Sequence, residues 1–226
     1  MTNISLYIVS GIIMIPVVLF SLICQWRVDS RFKKYSKVAN SRNLTGAEAA
    51  YMVLKNNGIT DVKIKRIPGN LTDNYDPKSK TINLSEDVFG SVSISAIGVA
   101  CHEAGHACQW AQSYVPVRIR RVIIPLSKFG STLGIPLVII GCIFTYEKFI
   151  IAGIVLYSLV VILQLITLPV EFNASKRAIQ TINEYNFLTK KECKKAKKVL
   201  RAAAMTYVAS LASALASLLR LLVLRR

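Results

Sequence analysis

The stretch GVACHEAGHACQW, residues 98–110, contains both histidines of the chain, His102 and His106, with Glu103 beside the first of them. Small and apolar residues surround all three, and no proline interrupts the stretch, so the pattern predicts a helix. In a helix, residues four positions apart lie on one face, one turn from each other. The sequence therefore predicts a helix that carries two adjacent imidazoles and a neighbouring carboxylate.

Capping signals delimit this helix and an earlier one. The helix with the two histidines is expected to begin after Ser93, a candidate N-cap. Upstream, Thr45 and Glu48 have the spacing of a capping box, and Asn57–Gly58 is a typical helix end. We therefore expect a first helix shortly after residue 45.

Between the two helices the pattern changes to that of strands. The stretch ITDVKIKRIPG, residues 59–69, alternates apolar and basic residues and predicts a half-buried strand. The stretch LTDNYDPKSKTINLS, residues 71–85, predicts a hairpin that turns at Asp76–Pro77. This part of the chain is thus expected to be a small α+β segment.

Apolar runs indicate a membrane protein, since 53% of the residues are hydrophobic. Runs long enough to cross about 30 Å of hydrocarbon are Ile4–Cys24, Val122–Phe144, Phe149–Val170 and Ala202–Leu224. We interpret the first as an uncleaved anchor, because no charged residue precedes it and it exceeds a signal-peptide core. The fourth is rich in alanine and serine and carries Arg220, so a surface amphipathic helix is the alternative there.

The placement of the positive charges predicts the orientation. Of the 29 Lys and Arg residues, 15 lie within residues 27–121 and 9 within residues 176–201, whereas the turn between the second and third runs has only Lys148. By the positive-inside rule both basic segments are cytoplasmic. The clusters RFKK and KKECKKAKK are then expected to contact anionic lipids or solvent. No nucleic-acid motif accompanies the net charge of +17.

The chemistry of the histidine stretch is that of a zinc site. Two imidazoles one helical turn apart can bind one Zn²⁺, and Glu103 beside them suits a general base. A catalytic zinc has three protein ligands and one open position. The five cysteines have no ligand spacing and are interpreted as small buried hydrophobes, so the third ligand is expected to be a carboxylate.

Topology favours Glu171 as that third ligand. It directly follows the third apolar run, which returns the chain to the membrane face of the histidine helix after two crossings. Asp73 and Asp76 are the alternatives. An ion pair of Glu171 with Lys176 or Arg177 at the membrane exit is the competing interpretation.

Three segments in order, LTDNYDPKSKTINLS, ACHEAGHACQ and LPVEFNAS, resemble the YugP-like neutral zinc metallopeptidase family of bacterial membrane proteases. More distantly, HEAGH followed after a helical hairpin by EFNA is similar to the HtpX-like and CAAX prenyl membrane metalloproteases. The resemblance implies His102, His106 and Glu171 as ligands of one Zn²⁺ and Glu103 as the catalytic base. It covers most of the chain.

The chain departs from the distant relatives at one position. They have an aspartate four residues after the third ligand, which orients a zinc-binding histidine, and here that residue is Ser175. A serine brings no charge, so the hydrogen bonding behind the ligands must differ, with Asn173 as a further participant. The candidates for stabilising the developing oxyanion are Tyr75, Arg177 and Asn173.

A substrate peptide needs an extended surface beside the zinc. We expect the TINLS segment to be an edge strand that holds the substrate through four residues. These are Thr81, Ile82, Asn83 and Leu84.

These patterns predict a mainly α, multi-pass helical membrane protein with a small α+β zincin-like part. The expected segments are an anchor (1–26), a cytoplasmic zincin-like part (27–121), a transmembrane hairpin (122–170), a third-ligand and basic cytoplasmic segment (171–201) and a C-terminal apolar helix (202–226).

The predicted function is a zinc-dependent endopeptidase of the bacterial cell membrane, acting at its cytoplasmic face. Its expected partners are membrane-associated peptide or protein substrates and anionic lipids. An intramembrane protease is disfavoured, because the last three runs contain no aspartate. A catalytically silent adaptor with a structural zinc is the alternative, against which Glu103 argues, because a structural site needs no base.

Overall fold

Most of the chain is helical, and a three-stranded sheet lies between the second and third helices. The computed structural model describes residues 3–224; Met1, Thr2, Arg225 and Arg226, at the ends of the predicted anchor and of the predicted last helix, lie outside this range. The elements are α1 (Asn3–Ser36), α2 (Gly46–Asn56), β1 (Lys63–Ile67), β2 (Asn74–Asp76), β3 (Thr81–Ser85), α3 (Glu86–Phe89), α4 (Ile94–Ala111), α5 (Val115–Ile143), α6 (Glu147–Glu184) and α7 (Lys190–Leu224). The predicted mainly α class with a small α+β part is confirmed.

Four helices, α1, α5, α6 and α7, are long and apolar enough to cross a membrane, as the four apolar runs predict. Each continues beyond its run. α6 extends through the polar residues 171–184, and α7 begins in the basic segment at Lys190. The backbone hydrogen bonds of a helix repeat regardless of the surroundings, and Lys, Glu and Ala are good helix formers, so a change in polarity does not end the helix.

The described residues form two compact units. The helical unit comprises the segments up to Gln25, from Val115 to Pro169 and from Met205 onward; the mixed unit comprises Trp26–Tyr114 and Val170–Ala204. The expected boundaries after residues 26, 170 and 201 lie close to these limits. The expected boundary after Arg121 lies inside α5, because that helix already begins at Val115.

Glycines allow α5 and α6 to pack closely within the helical unit. A Cβ added to Gly153 would lie 2.5 Å from the carbonyl oxygen of Gly134, which only a glycine permits. Large apolar side chains point away from this contact, and Phe129 and Phe144 are 64% and 72% exposed. Such surfaces are expected where lipid tails surround a helix.

The core of the mixed unit surrounds α4, of whose 18 residues 13 are buried. Ser93 caps its N-terminus by accepting a hydrogen bond from Ala96 N, and the predicted capping box of Thr45 and Glu48 is present at α2. Both predicted caps are therefore confirmed. A helix that is apolar on nearly all sides is typical of a domain centre.

The sheet has the order β1-β3-β2, with β3 parallel to β1 and antiparallel to β2. The predicted hairpin is confirmed. The expectation that Thr81, Ile82, Asn83 and Leu84 form an edge strand is wrong, because β3 is the central strand. Its apolar side chains are fully buried and it pairs on both sides, so its backbone groups bond to its neighbours rather than to a peptide.

Candidate metal centre

α4 brings the two imidazoles together as its helical period requires. The ring centroids of His102 and His106 lie 4.7 Å apart, at an interplanar angle of 83°. Both side chains are only slightly exposed, at 13% and 12%. Their Nε2 atoms face the same side chain, which comes from another helix.

That side chain is Glu171, on α6. Its Oε2 lies 3.3 Å from His102 Nε2 and 3.4 Å from His106 Nε2. The three ligand atoms lie within 4.8 Å of one another and could hold a metal ion. Two nitrogens and one carboxylate oxygen form a typical zinc donor set, and tetrahedral bonds of about 2.05 Å would place ligand atoms about 3.4 Å apart. The residues therefore fit zinc.

Glu171 reaches the histidines because α4 and α6 approach closely. A Cβ added to Gly105 would lie 3.0 Å from the carbonyl oxygen of Ala174. Even an alanine at 105 would require the backbone at Ala174 to shift by a few tenths of an ångström. The glycine of HEAGH thus has a packing role, which places Glu171 over the face that carries the histidines.

Glu103 is buried beside this cluster, with 8% of its surface exposed. Burial raises the pKa of its carboxyl, and the nearby imidazoles of His102 and His106 offset part of that rise. A carboxyl with a raised pKa exchanges protons closer to neutral pH than an exposed glutamate does. This is the property required of a general base.

The electrostatic environment favours a cation between the ligands. Burial lowers the pKa of the His106 imidazole, but hydrogen bonding to Glu171 and the charges of Glu171 and Glu103 outweigh burial and raise it. The same carboxylates that attract a proton to this ring would attract a metal ion.

Two different groups contact the outward-facing Nδ1 atoms. Ser175 Oγ lies 3.2 Å from His102 Nδ1, so the structure brings this predicted residue to one of the two histidines. Gln109 Oε1 lies 3.0 Å from His106 Nδ1. The sequence reasoning missed Gln109, although its position three residues after His106 on the same helix face was a usable signal.

Asn173 and Arg177 lie behind Gln109. Asn173 Oδ1 accepts hydrogen bonds from Gln109 Nε2 at 3.0 Å and from Arg177 Nε at 2.7 Å. Arg177 also donates from Nη1 to Gln112 Oε1 at 2.6 Å. Both oxyanion candidates on α6 are thus engaged in a network that reaches His106 through Gln109. Arg177 bonds to the side-chain amides of Asn173 and Gln112.

The remaining predicted residues lie around β2. Tyr75 packs against the core, and burial raises the pKa of its hydroxyl. Asp76 accepts hydrogen bonds from Lys78 N and Ser79 Oγ and so shapes the hairpin turn. Asp73 accepts from Ser85 N at 2.7 Å. The structure does not bring either of these alternative ligands into the His–Glu cluster.

The cysteines match their interpretation as small apolar residues. Cys24, Cys101, Cys108 and Cys193 are buried, Cys142 is half-buried, and all five are free thiols. Cys101 and Cys108, which flank the histidines, belong to the core around α4.

Comparisons with known proteins identify a family and a relative. Residues 10–226 match the sequence model of the family described as "Putative neutral zinc metallopeptidase". The chain is 46% identical over 196 residues to "Putative membrane protease YugP" of Bacillus subtilis (strain 168), an alignment that covers 87% of each chain. No solved structure matches the chain at a significant level.

Proposed function

The chain belongs to the family of neutral zinc metallopeptidases, and on that premise we propose that it is a membrane-bound endopeptidase that hydrolyses peptide bonds at the cytoplasmic face. The observation that carries the proposal is the convergence of His102 Nε2, His106 Nε2 and Glu171 Oε2, with Glu103 adjacent in the chain. Three protein ligands for one zinc leave a position open for catalysis.

The residues of the site have distinct tasks in this reaction. Zinc held by the three ligands would supply Lewis acidity, polarising the scissile carbonyl and acidifying the attacking water. Glu103 takes the proton that the water loses as its oxygen bonds to the carbonyl carbon. Glu103 then gives the proton to the amide nitrogen as the C–N bond breaks. Its burial supports this role, since the raised pKa makes the carboxylate a stronger base for the proton of the water.

The substrate is assigned to the outer edge of β2. This strand lies at one edge of the sheet and contacts α4, so a peptide paired with it would run extended beside the helix that carries the histidines. The likeness to a protein named as a membrane protease favours membrane-associated proteins as substrates.

Glu103→Gln tests the catalytic assignment in the purified full chain. We expect bound zinc to stay at the wild-type level and peptide hydrolysis to fall by about 10²- to 10⁴-fold, the contribution typical of a general base. Glu86→Gln is the control, because Glu86 is exposed and pairs with Arg66 at the surface. Cleavage unchanged by Glu103→Gln would refute Glu103 as the catalytic base, whereas a wild-type chain that binds zinc and cleaves no peptide would favour the adaptor with a structural zinc.

The cytoplasmic orientation rests on the excess of Lys and Arg in the segments of the mixed unit. Lys191, Lys194 and Lys197 are exposed on the first turns of α7, where they would contact anionic lipids. Cysteines at Lys63 and Lys148 test the orientation in a Cys142→Ser background, which removes the half-buried thiol. An impermeant reagent should label position 148 and not 63 in intact cells; the reverse would overturn the orientation.

A further inference from the structure

The proton position on the His106 ring is decided by the hydrogen bonds behind it. A metal can bind His106 only through an unprotonated nitrogen, and the Nε2 atom is the one that faces Glu171. The other nitrogen, Nδ1, lies 3.0 Å from the side-chain amide of Gln109. Whether Nδ1 carries the hydrogen depends on which end of that amide faces it.

The chain of partners fixes the amide, starting from Arg177. A guanidinium is only a donor, so the Asn173 atom 2.7 Å from Arg177 Nε must be the oxygen Oδ1. Gln109 then faces two acceptors at its other end, Asn173 Oδ1 at 3.0 Å and the carbonyl oxygen of Val170 at 2.8 Å. Only the amide nitrogen of Gln109, Nε2, can donate a hydrogen bond to both of these oxygens.

The Oε1 atom of Gln109 therefore faces His106. This oxygen only accepts hydrogen bonds, so His106 Nδ1 must carry the hydrogen, and the Nε2 lone pair is left for a metal. Gln109 is completely buried, so a reversed amide would set oxygen against two oxygens with no water to relieve it.

His102 has no equivalent constraint. Its Nδ1 lies 3.2 Å from Ser175 Oγ, and a hydroxyl both donates and accepts. Either tautomer of the His102 ring is compatible with that contact. The two histidines are therefore asymmetric, although they lie one turn apart on the same helix.

We propose that Gln109, held by Val170 and by the Asn173–Arg177 pair, is a positioning residue that presets His106 in the Nδ1–H tautomer, with Nε2 ready for the metal. The use of this preset ring for zinc rests on the proposed function, whereas the tautomer does not. In this proposal Arg177 and Asn173 increase the affinity for the metal by orienting Gln109, and they do not stabilise the oxyanion.

The tautomer can be measured without metal or activity. The chain has two histidines, so ¹⁵N-histidine labelling of the metal-free full chain in micelles gives two ring systems, which a His102→Asn variant assigns. At a pH where both rings are neutral, long-range ¹H–¹⁵N correlations should show His106 as Nδ1–H in wild type and as a mixture in Gln109→Met. His106 as Nε2–H, or a tautomer unchanged in Gln109→Met, would overturn the proposal.

Zinc affinity, measured by competition with a chelator, separates positioning from packing. Gln109→Met, similar in size, should weaken zinc binding about 10- to 100-fold, the usual loss for a residue that supports a ligand. If packing alone mattered, Gln109→Met would bind zinc as tightly as wild type, because methionine is similar in size to glutamine. Wild-type zinc affinity in Gln109→Met would therefore refute the positioning role.

Asn173→Ala provides a second variant that leaves Gln109 in place. It should weaken zinc binding less than Gln109→Met does, because the Val170 bond still orients the amide. Circular dichroism of each variant checks the fold, and an affinity equal to wild type in both variants would overturn the proposal. A chain with the predicted tautomer that binds no zinc would refute the proposed function and leave the role of Gln109 for the tautomer standing.

Discussion

The two helices that form the site contribute to it in different ways. α4 supplies His102, Glu103, His106 and Gln109 within eight residues, so the helical period alone sets their relative positions. α6 supplies Glu171 from a distant part of the sequence, and its place at the site depends on packing between the helices. The relative positions of the α4 residues are thus set by the local sequence. The position of Glu171 depends on the contact between α6 and α4.

In the proposed function, α4 therefore carries the acid–base residue, Glu103, and α6 completes the metal site with Glu171. A change in Glu103 is expected to stop hydrolysis while zinc stays bound. A change on α6 is expected to act first on metal retention. Three substitutions test the division, in order of decreasing effect, and a fourth, outside both helices, is expected to have the smallest effect.

The largest effect is expected for Glu171→Ala, which removes the carboxylate that α6 contributes to the proposed metal site. Zinc should bind more than about 100-fold more weakly, beyond the loss typical of a supporting hydrogen bond. Zinc content after dialysis against a chelator measures this. Glu184→Ala, an exposed position on the same helix, is the control, and full zinc retention by Glu171→Ala would remove α6 from the site.

Gly105→Ala tests the contact between the helices directly. The added Cβ would lie 3.0 Å from the carbonyl oxygen of Ala174, so the backbone of α6 would have to shift by a few tenths of an ångström. We expect a loss of about 1–3 kcal/mol in stability, as for an overpacked core, together with weaker zinc binding. Thermal unfolding and chelator competition measure the two effects.

Gly98→Ala on the same helix is the matched control for Gly105→Ala. There the added Cβ lies 3.6 Å from the Cβ of Ala196, an ordinary contact. Alanine should therefore leave stability unchanged or raise it by up to about 1 kcal/mol through helix propensity. Equal effects at the two glycines would contradict the special role of the Gly105 contact.

Ser175→Asp asks whether α6 can be made to hold His102 as firmly as Gln109 holds His106. A carboxylate near His102 Nδ1 would favour the Nδ1–H tautomer and strengthen zinc binding by about 10-fold. Gln180→Asp adds one carboxylate at an exposed position on the same helix and is the control. Zinc affinity that responds equally to both changes would indicate net charge rather than a bond to His102.

The smallest effect on stability is expected for Asp73→Asn, at the residue just before β2 and outside both helices. Burial raises the pKa of Asp73 despite the hydrogen bonds from Ser85. Its contribution to stability is therefore complete below the reference pKa of 3.8 and is lost as the pH rises through the raised folded-state value. Asp73→Asn should remove this decline in melting temperature with rising pH.

Asp76→Asn has the opposite sign and serves as the control for Asp73→Asn. Hydrogen bonds from Ser79 and Lys78 lower the pKa of Asp76. Its stabilisation is present above the reference value of 3.8 and is lost as the pH falls through the lowered value. The same pH dependence in both variants would show that neither shift arises from these surroundings.

Much of the fold was predictable from short-range patterns. The caps at Thr45 and Ser93, the hairpin at Asp76–Pro77 and the four spans depend on neighbouring residues or on composition, and all are present. The prediction that Thr81–Leu84 form an edge strand was wrong, because the position of a strand in a sheet depends on residues that are distant in the sequence. Strand order depends on the pairing of β1 with β3 across intervening chain, which no local pattern encodes.

The sequence by itself determined the membrane-spanning helices, the pair of imidazoles with Glu103, and the kinds of residue available as a third ligand. These follow from hydrophobic run length and from the fixed turn of an α-helix. Only the tertiary structure decided that Glu171 lies within 3.4 Å of both histidines, that β3 is central, and that Gln109 rather than Ser175 fixes a tautomer. The reason is physical: these outcomes depend on the close approach of α4 and α6 at Gly105 and on the donor and acceptor partners that this contact brings together.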